Sequence, residues 1–286
     1  VLVLESEASN QNENRVEVAK ILLEDFKLPF LFHAHSSTCT LLAERRTSGL
    51  IVDLGHTTAS ITPVIQGQIV EQEARQFPLS GQDISQRLIA LLEEDGYRMF
   101  KSEAQKMLVE DMKIAHAFVQ TNTTLLAKHA KSQSGAQGGH ERSLSGSGPS
   151  SPKVLSFRLP DGTEILLGDH TWMCAEILFN PSLVGLDIKG IHLQVQEILA
   201  VHPELAENII LVGGTSLLAG LRQRMQNELQ QLLPGKPVYV EQPAMAQYSA
   251  WIGGALMARL SDFKDCVLSR EEFLAEGPEV IELTFV

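Results

Sequence analysis

The sequence predicts an α/β protein in which strands alternate with helices. One observation is the stretch 209–225, where four apolar residues precede Gly213-Gly214 and a segment whose leucines recur at helical spacing. A second is the stretch 50–62, an apolar strand that ends in Asp53-Leu54-Gly55 and continues as an alternating strand. Alternating strands and helices of this kind indicate layers of helices packed on sheets.

The composition is that of a globular protein with a sizeable core. The chain has 286 residues, of which 44% are hydrophobic and 20% charged, enough for one large domain or two modest ones. The formal net charge of -12 argues against nucleic-acid binding over the whole surface and leaves basic protein partners open. The three cysteines lack metal-site spacing and indicate reduced thiols in the cytosol or nucleus. The sequence shows neither a signal peptide nor an apolar run of membrane-spanning length.

The other elements follow in chain order from apolar periodicity and from glycine and proline positions. Between 131 and 153 the residues are mostly Gly, Ser, Pro and Gln, which predicts a disordered loop insertion. The predicted strands are 1–4, 28–32, a hairpin over 51–70 with turns near Gly55 and Gly67, a hairpin around 161–162, then 209–212 and 238–240. The predicted helices are 14–26, 36–46, 85–92, 105–119, 172–179, 188–200 and 245–260.

His33 and His35 stand on one face of the predicted strand around residue 32. Two imidazoles on one face are a conceivable metal site, but the sequence offers no third ligand beside them. We therefore expect two partly buried structural histidines and predict no metal site here.

The two glycine turns are the candidate ligand-binding features. Gly213-Gly214 let a ligand approach the backbone closely, and Thr215 and Ser216 offer N-cap hydroxyls to a following helix whose N–H groups suit an anion. The turn after Asp53 can hold phosphate through backbone N–H groups and a metal through the carboxylate. A tight strand–helix turn without a ligand explains the Gly-Gly pair equally well.

Three stretches, in this order, resemble the actin family: 50–62, 209–225 and 247–260, the last a helix with Gly253-Gly254 at a close-packed crossing. Shorter segments at 5–8, 159–165, 178–182 and 273–278 are also similar to that family. The resemblance runs end to end apart from the insertion. It implies the actin-like ATPase fold, an α/β fold of the ribonuclease H type, over the C-terminal two-thirds to three-quarters of the actin domain. The family's N-terminal segment, with its first phosphate loop, is expected to be absent, in either a fragment or a truncated member.

The resemblance also implies a division into subdomains. The large lobe would comprise an outer subdomain at 1–43 and 249–286 and an inner subdomain at 44–79 and 187–248. The small subdomain would span 80–186 and carry the insertion at 131–153.

In actin-like proteins ATP with Mg lies in a cleft between two lobes, so the resemblance implies a nucleotide site. Asp53 would contact the metal only if Mg-ATP binds, and no other metal ligand is predicted. The positions that match the family's nucleotide contacts are Asp53, Gly55, Gly81, Lys113, Gly213, Gly214 and Thr215.

Several charged groups of the family site are replaced. His56 stands where the family has an acidic residue that orders metal-bound water, and Ser36 stands at its water-orienting glutamine. Thr57 replaces a glycine whose backbone approaches the phosphates. Around the base, the family's Arg, Lys and Glu correspond to Glu110, Lys113 and Ile114, and a further lysine corresponds to Gln247. These departures predict weak or absent ATP or ADP binding and no turnover, because catalysis depends on precise positioning.

The resemblance further implies a hydrophobic groove that receives an amphipathic helix from a partner. Ile252, Leu256 and Leu260 recur every four residues and so share one helix face, although for Ile252 ordinary core is an equal alternative. Arg45 replaces a glycine at the rim, which favours an acidic partner helix, and Gln68 replaces an aromatic. The predicted groove residues are Leu42, Thr47, Ile252, Leu256, Met257 and Leu260.

The resemblance and the departures together predict a divergent actin-related protein that acts as a non-catalytic subunit of an assembly, of the chromatin-remodelling or dynactin type. It would reside in the nucleus or the cytoplasm and bind protein subunits, including actin or actin-related proteins, but neither membranes nor nucleic acid directly. One alternative is a cytoskeletal actin-like protein that binds ATP and forms or caps filaments. A kinase of the same fold is disfavoured by Trp251 and by the ending at 273–278.

Overall fold

The computed structural model describes residues 1–5, 11–97, 102–121, 155–160 and 162–281, without the side chains of 11–13. The insertion predicted at 131–153 and the predicted turn residue Asp161 lie outside these residues. The described residues form three sheets with helices packed against them.

Strands and helices are interspersed along the chain, but the strands between Gly49 and Phe77 follow one another without an α-helix between them. A π-helix, Lys20–Asp25, continues α1, and short 3₁₀ turns join several of the other elements. The strands are β1 Leu2–Glu5, β2 Phe30–His35, β3 Gly49–Leu54, β4 Ala59–Ile65, β5 Gln68–Ile69, β6 Arg75–Phe77, β7 Leu155–Arg158, β8 Glu164–Leu167, β9 Ile209–Val212, β10 Val240–Glu241 and β11 Leu268–Ser269. The helices are α1 Gln11–Ala19, α2 Ser36–Ala43, α3 Gly81–Glu94, α4 Glu103–His116, α5 His170–Met173, α6 Ile191–Val201, α7 Leu221–Leu232, α8 Ser249–Met257 and α9 Arg270–Glu276.

The central sheet brings the two predicted glycine turns together. Its strand order is β10-β9-β3-β4-β5, and β6 pairs with β4. Strands β3 and β9 are parallel neighbours, and Asp53 pairs in register with Val212. Because parallel strands end at the same edge of a sheet, the turn after Asp53 and the turn at Gly213 lie side by side.

Both faces of this sheet are buried, which explains the continuous apolar character of β3 and β9. Leu50, Val52 and Leu54 pack into the large core shared with α3, α4, α6 and α7. Ile51 faces the opposite side, where it packs with Leu41 of α2. Since side chains alternate along a strand, Asp53 lies on the α2 side of the sheet, at its end.

A separate outer sheet, β1-β2-β11, has its own apolar cluster and a buried polar one. Arg15 Nε donates to Glu5 Oε2 at 2.7 Å, and His33 Nδ1 pairs with the other oxygen of Glu5. Burial raises the pKa of Glu5, but the hydrogen bonds and charges of His33 and Arg15 outweigh it and hold the pKa below its ordinary value. His33 therefore partners a carboxylate. Within the described ranges no group of three or more His, Cys, Asp or Glu side chains is arranged to hold a metal.

Some element boundaries differ from the sequence predictions for local reasons. The helix predicted over 36–46 ends at Ala43, and Arg45 takes the left-handed conformation at φ 57°. The strand predicted at 28–32 begins only at Phe30, after Pro29, and continues to His35. The helix predicted over 172–179 is instead the short α5 followed by a 3₁₀ turn, Ala175–Leu178.

The cysteines are free thiols, two of them buried in the core. Burial raises the pKa of Cys39 to about 11 and that of Cys174 to about 12, so both are protonated at neutral pH. None of the helices in the described ranges is long and apolar enough to cross a bilayer.

Helices α2 and α8 cross at very close range because α8 carries Gly253. A Cβ added to Gly253 would lie 1.7 Å from the carbonyl oxygen of Cys39, a backbone atom that cannot move aside locally. At the next residue, Gly254, an added Cβ would lie 3.1 Å from Cδ2 of Leu2, the far end of a flexible side chain. The crossing therefore requires glycine at 253 much more strictly than at 254.

We predict that Gly253→Ala lowers the free energy of unfolding by about 1–3 kcal/mol or more, since an overpacked crossing has to shift apart. Gly254→Ala is the matched control and should be neutral or stabilising, because alanine favours a helix over glycine by about 1 kcal/mol. Urea unfolding of both variants measures the difference. Equal effects of the two substitutions would contradict the close crossing.

Candidate functional site

The turn between β3 and β4 is a tight hairpin held by its own backbone. Gly55 N donates to Thr58 O at 2.9 Å, and a Cβ at Gly55 would lie 2.7 Å from that same oxygen. The tip residues His56 and Thr57 are exposed, whereas Asp53 is half-buried within β3. Gly55 is therefore required by the turn itself.

This turn is docked on the N-terminus of α3. The first four N–H groups of a helix have no partner within the helix. Here Gly81 N donates to Gly55 O at 3.0 Å and Gln82 N to His56 O at 2.7 Å. The N–H of the N-cap residue Ser80 donates to Asp83 Oδ2 at 2.7 Å, within a capping box that Ser80 forms with Asp83. The N–H groups of Ser80, Gly81 and Gln82, which a helix start can offer to an anion, are thus bonded within the protein.

Lys113 joins this arrangement from α4. Its ammonium group lies 2.8 Å from Gly81 O, 2.9 Å from Ser85 Oγ and 2.5 Å from Glu110 Oε2, and it is almost completely buried. An ammonium group has three protons, so these three contacts use its full donor capacity. The side chain of Ile114, in contrast, is 76% exposed.

The Gly-Gly turn does not lead directly into a helix. The prediction that Thr215 and Ser216 cap the following helix is wrong, because residues Gly214–Leu217 form a 3₁₀ turn and α7 begins only at Leu221. Thr215 Oγ1 instead donates to Gly55 O at 2.8 Å, and Ser216 Oγ donates to Gly213 O. Thr215 thereby connects this turn to the β3–β4 hairpin.

The two glycines of this turn have different surroundings. Gly213 has φ 84° and ψ 160°, a conformation that is practically restricted to glycine, and a Cβ there would lie 2.5 Å from Asp53 Oδ1. Gly214 is exposed, and a Cβ added there would meet no atom within 4 Å. Packing therefore accounts for Gly213 but not for Gly214.

The structure thus brings all seven predicted nucleotide positions to one edge of the central sheet or to the helices that cover it. Contacts within the protein connect most of them, through Gly55 O as the shared acceptor of Gly81 N and Thr215 Oγ1. Of the replaced positions, Ser36 begins α2 and Gln247 is exposed in the 3₁₀ turn before α8.

The predicted groove positions lie on α2, on α8 and beside them. On α8, Leu256 and Leu260, just beyond its end, are 40% and 57% exposed, whereas Ile252 and Met257 are half-buried. Leu42 is half-buried on α2, which packs against α8. Thr47 is exposed, and its carbonyl accepts from Gly67 N at 2.7 Å, so it adjoins the turn that precedes Gln68.

Sequence reasoning missed a buried ionic cluster around Arg224 of α7. Arg224 donates to Gln120 O at 2.7 Å, to Glu228 Oε1 at 2.6 Å and to both carboxylate oxygens of Glu176, and its guanidinium lies over the ring of Phe179. Burial raises the pKa of Glu176 although Arg224 opposes that shift. The i,i+4 spacing of Arg224 and Glu228 was visible in the sequence, but the distant partners of Arg224 were not.

The comparisons with known proteins agree with this architecture. A model of the Actin family matches residues 1–286. The chain belongs to the actin family. The predicted α/β actin-like fold is thereby confirmed, and so is the recognition of a divergent actin-related protein.

Similar curated proteins carry actin-type names. "Actin-like protein" of Neurospora crassa is 29% identical over 282 residues, which cover 96% of this chain and 70% of that protein. "Putative actin-29" of Dictyostelium discoideum is 28% identical over 283 residues, covering 96% and 69%. "Actin-like protein 7A" of Rattus norvegicus is 29% identical over 270 residues, covering 93% and 57%. The identity is low enough for individual functional residues to have changed.

We predict that the two glycines of the Gly-Gly turn respond differently to alanine. Gly213→Ala should lower the free energy of unfolding by about 1–3 kcal/mol because of backbone strain. Gly214→Ala should change it by less than about 0.5 kcal/mol, since the added methyl group meets open space. Thermal unfolding in nucleotide-free buffer measures both. A destabilised Gly214→Ala variant would contradict the open position.

Proposed function

We propose that this member of the actin family is a non-catalytic subunit of a multiprotein assembly and that it binds ATP or ADP weakly or not at all. The observation that carries the proposal is that donors expected to face a nucleotide are bonded inside the protein. These donors, all at predicted nucleotide positions, are the N–H of Gly81, the hydroxyl of Thr215 and the ammonium of Lys113.

The charge at the site supports the same proposal. Glu110 stands where the family has an arginine, and its carboxylate pairs with Lys113, the one retained cation of the base site. Asp53, at the end of β3, adds a second carboxylate to the predicted site, whose expected ligand is itself a polyanion. Like charges disfavour binding unless a metal neutralises them, and Asp53 is the single predicted metal ligand.

The residues at the reacting end also support a loss of turnover. Ser36 is too short to orient a water molecule as a glutamine does, and His56 at the exposed tip replaces a carboxylate. Hydrolysis requires the attacking water to be held in place, and a misplaced group lowers the rate by roughly 100-fold.

We predict that the purified protein releases no phosphate from Mg-ATP above the rate measured in buffer. A coupled phosphate-release assay checks this over an extended incubation. Asp53→Ala serves as the control for contaminating ATPases, because it removes the predicted metal ligand. A steady turnover that Asp53→Ala abolishes would show that the protein is an enzyme.

The partner site proposed is the groove at α2 and α8. The exposed leucines Leu256 and Leu260 are four residues apart and so present one apolar face. Two exposed arginines add positive charge: Arg45 follows α2 in the sequence, and Arg259 directly precedes Leu260. These features fit an amphipathic partner helix with acidic residues along its polar side, and such contacts concentrate their energy in a few anchors.

We predict that Leu256→Asp reduces recovery of the assembly at least about tenfold, since an apolar anchor of about 2 kcal/mol is lost. Leu232→Asp is the matched control, because Leu232 is 36% exposed on α7 and Leu256 is 40% exposed on α8. Affinity purification from cells, with circular dichroism to verify folding, compares the two. If folded Leu256→Asp recovers every partner at wild-type level, the groove is not the docking site.

The kind of assembly remains part of the proposal. A chromatin-remodelling complex in the nucleus and a dynactin-type complex in the cytoplasm are both consistent with a non-hydrolysing member, and actin or actin-related subunits are the expected neighbours. A filament-forming member would instead pellet after addition of salt and magnesium. Co-purification at fixed stoichiometry without pelleting distinguishes the subunit from the filament former.

A further inference from the structure

The polar groups at the candidate site form one continuous network, which connects three elements. Lys113 and Glu110 lie on α4, Ser85 lies on α3, and His56 lies at the tip of the β3–β4 turn. The centre of the network is Glu110. One of its oxygens accepts from the Ser85 hydroxyl, and the other pairs with Lys113 at 2.5 Å and lies 3.6 Å from His56 Nδ1.

Lys113 and Ser85 have their hydrogen-bond partners within the protein. Ser85 Oγ accepts a hydrogen bond from Lys113 and donates one to Glu110. Lys113 also donates to Gly81 O, the carbonyl of the residue whose N–H holds Gly55. Buried charges are stable only when they are paired and fully hydrogen-bonded, and here both conditions hold for Lys113. Removal of Glu110 would leave the ammonium group of Lys113 without this counter-ion.

We propose that Glu110, Lys113 and Ser85 form a built-in latch that holds the β3–β4 turn on α3 and α4 without a nucleotide. The latch works through Gly81: Lys113 fixes the first residue of α3, and the N–H groups of α3 hold the carbonyls of Gly55 and His56. The turn therefore keeps one position whether or not ATP or ADP is present. The proposal rests on the proposed function, in which nucleotide contributes little.

A second set of contacts, around Arg224, holds the segment that follows α4. Arg224 of α7 donates to Gln120 O, beyond the end of α4, and to Glu176, while Val119 N donates to Ala219 O at 2.8 Å. The latch thus attaches α3 and α4 to the β3–β4 turn, and the Arg224 cluster attaches the segment after α4 to α7. A fixed shape of this kind suits a subunit whose binding surface has to stay constant.

Hydrogen exchange tests the latch directly. The amides of Gly81 and Gln82 report on the docked turn, because both donate to it. In the wild-type protein without nucleotide they should be protected, and saturating Mg-ATP should not change their exchange rates. In Glu110→Gln their exchange should rise by about tenfold or more, as expected for a lost hydrogen bond to a charged group. Asp111→Asn, an exposed carboxylate on the same helix, is the matched control and should leave both rates unchanged.

Two results would overturn the latch. One is a wild-type protein in which these amides exchange freely and become protected on addition of Mg-ATP, a comparison that needs no variant to fold. The other is an effect of Glu110→Gln no larger than that of Asp111→Asn. Neither result depends on the groove, since Leu256→Asp tests partner binding separately. A failed latch with an intact groove would still leave the docking site in place.

Discussion

The fit of the β3–β4 turn onto the N-terminus of α3 is the contact on which the candidate site depends. Gly55 O accepts from both Gly81 N and Thr215 Oγ1, so one carbonyl joins the hairpin, α3 and the Gly-Gly turn. Because a buried backbone group left without a partner is costly, these elements stabilise one another as a unit. The same contact consumes the donors of a helix end that would otherwise attract an anion.

Glycines at a ligand site can serve the packing of the fold or the close approach of a ligand, and in this structure the two roles fall on different glycines. Gly55, Gly81 and Gly213 stand where a Cβ would meet protein atoms at less than 3 Å, so packing alone accounts for them. Only Gly214, among the four glycines predicted at the site, adjoins open space. Glycines can therefore persist at such a site after the chemistry has gone, because the fold still needs them.

Local signals in the sequence predicted the strands and the two glycine turns, whereas the actin-like fold and the meeting of the turns were predicted only as what the resemblance to the actin family implies. Apolar runs that end in glycine define β3 and β9, and their parallel pairing brings Asp53 and Gly213 together. The partners of Lys113 could not be predicted, since Ser85 and Gly81 lie far from it in sequence and the contact depends on how α3 packs on α4. The helix start at Leu221 was missed because Thr215 bonds to a distant carbonyl instead of capping its own helix.

Under the proposed function, the replacement of a family arginine by Glu110 converts a nucleotide site into a structural one. An arginine at this position would repel Lys113 and leave both cations for a ligand's negative charge. The carboxylate of Glu110 has the opposite effect: it pairs with Lys113 and accepts a hydrogen bond from Ser85. In this proposal the carboxylate of Glu110 neutralises the retained lysine from within, so that the protein does not need an anionic ligand to stabilise that buried charge.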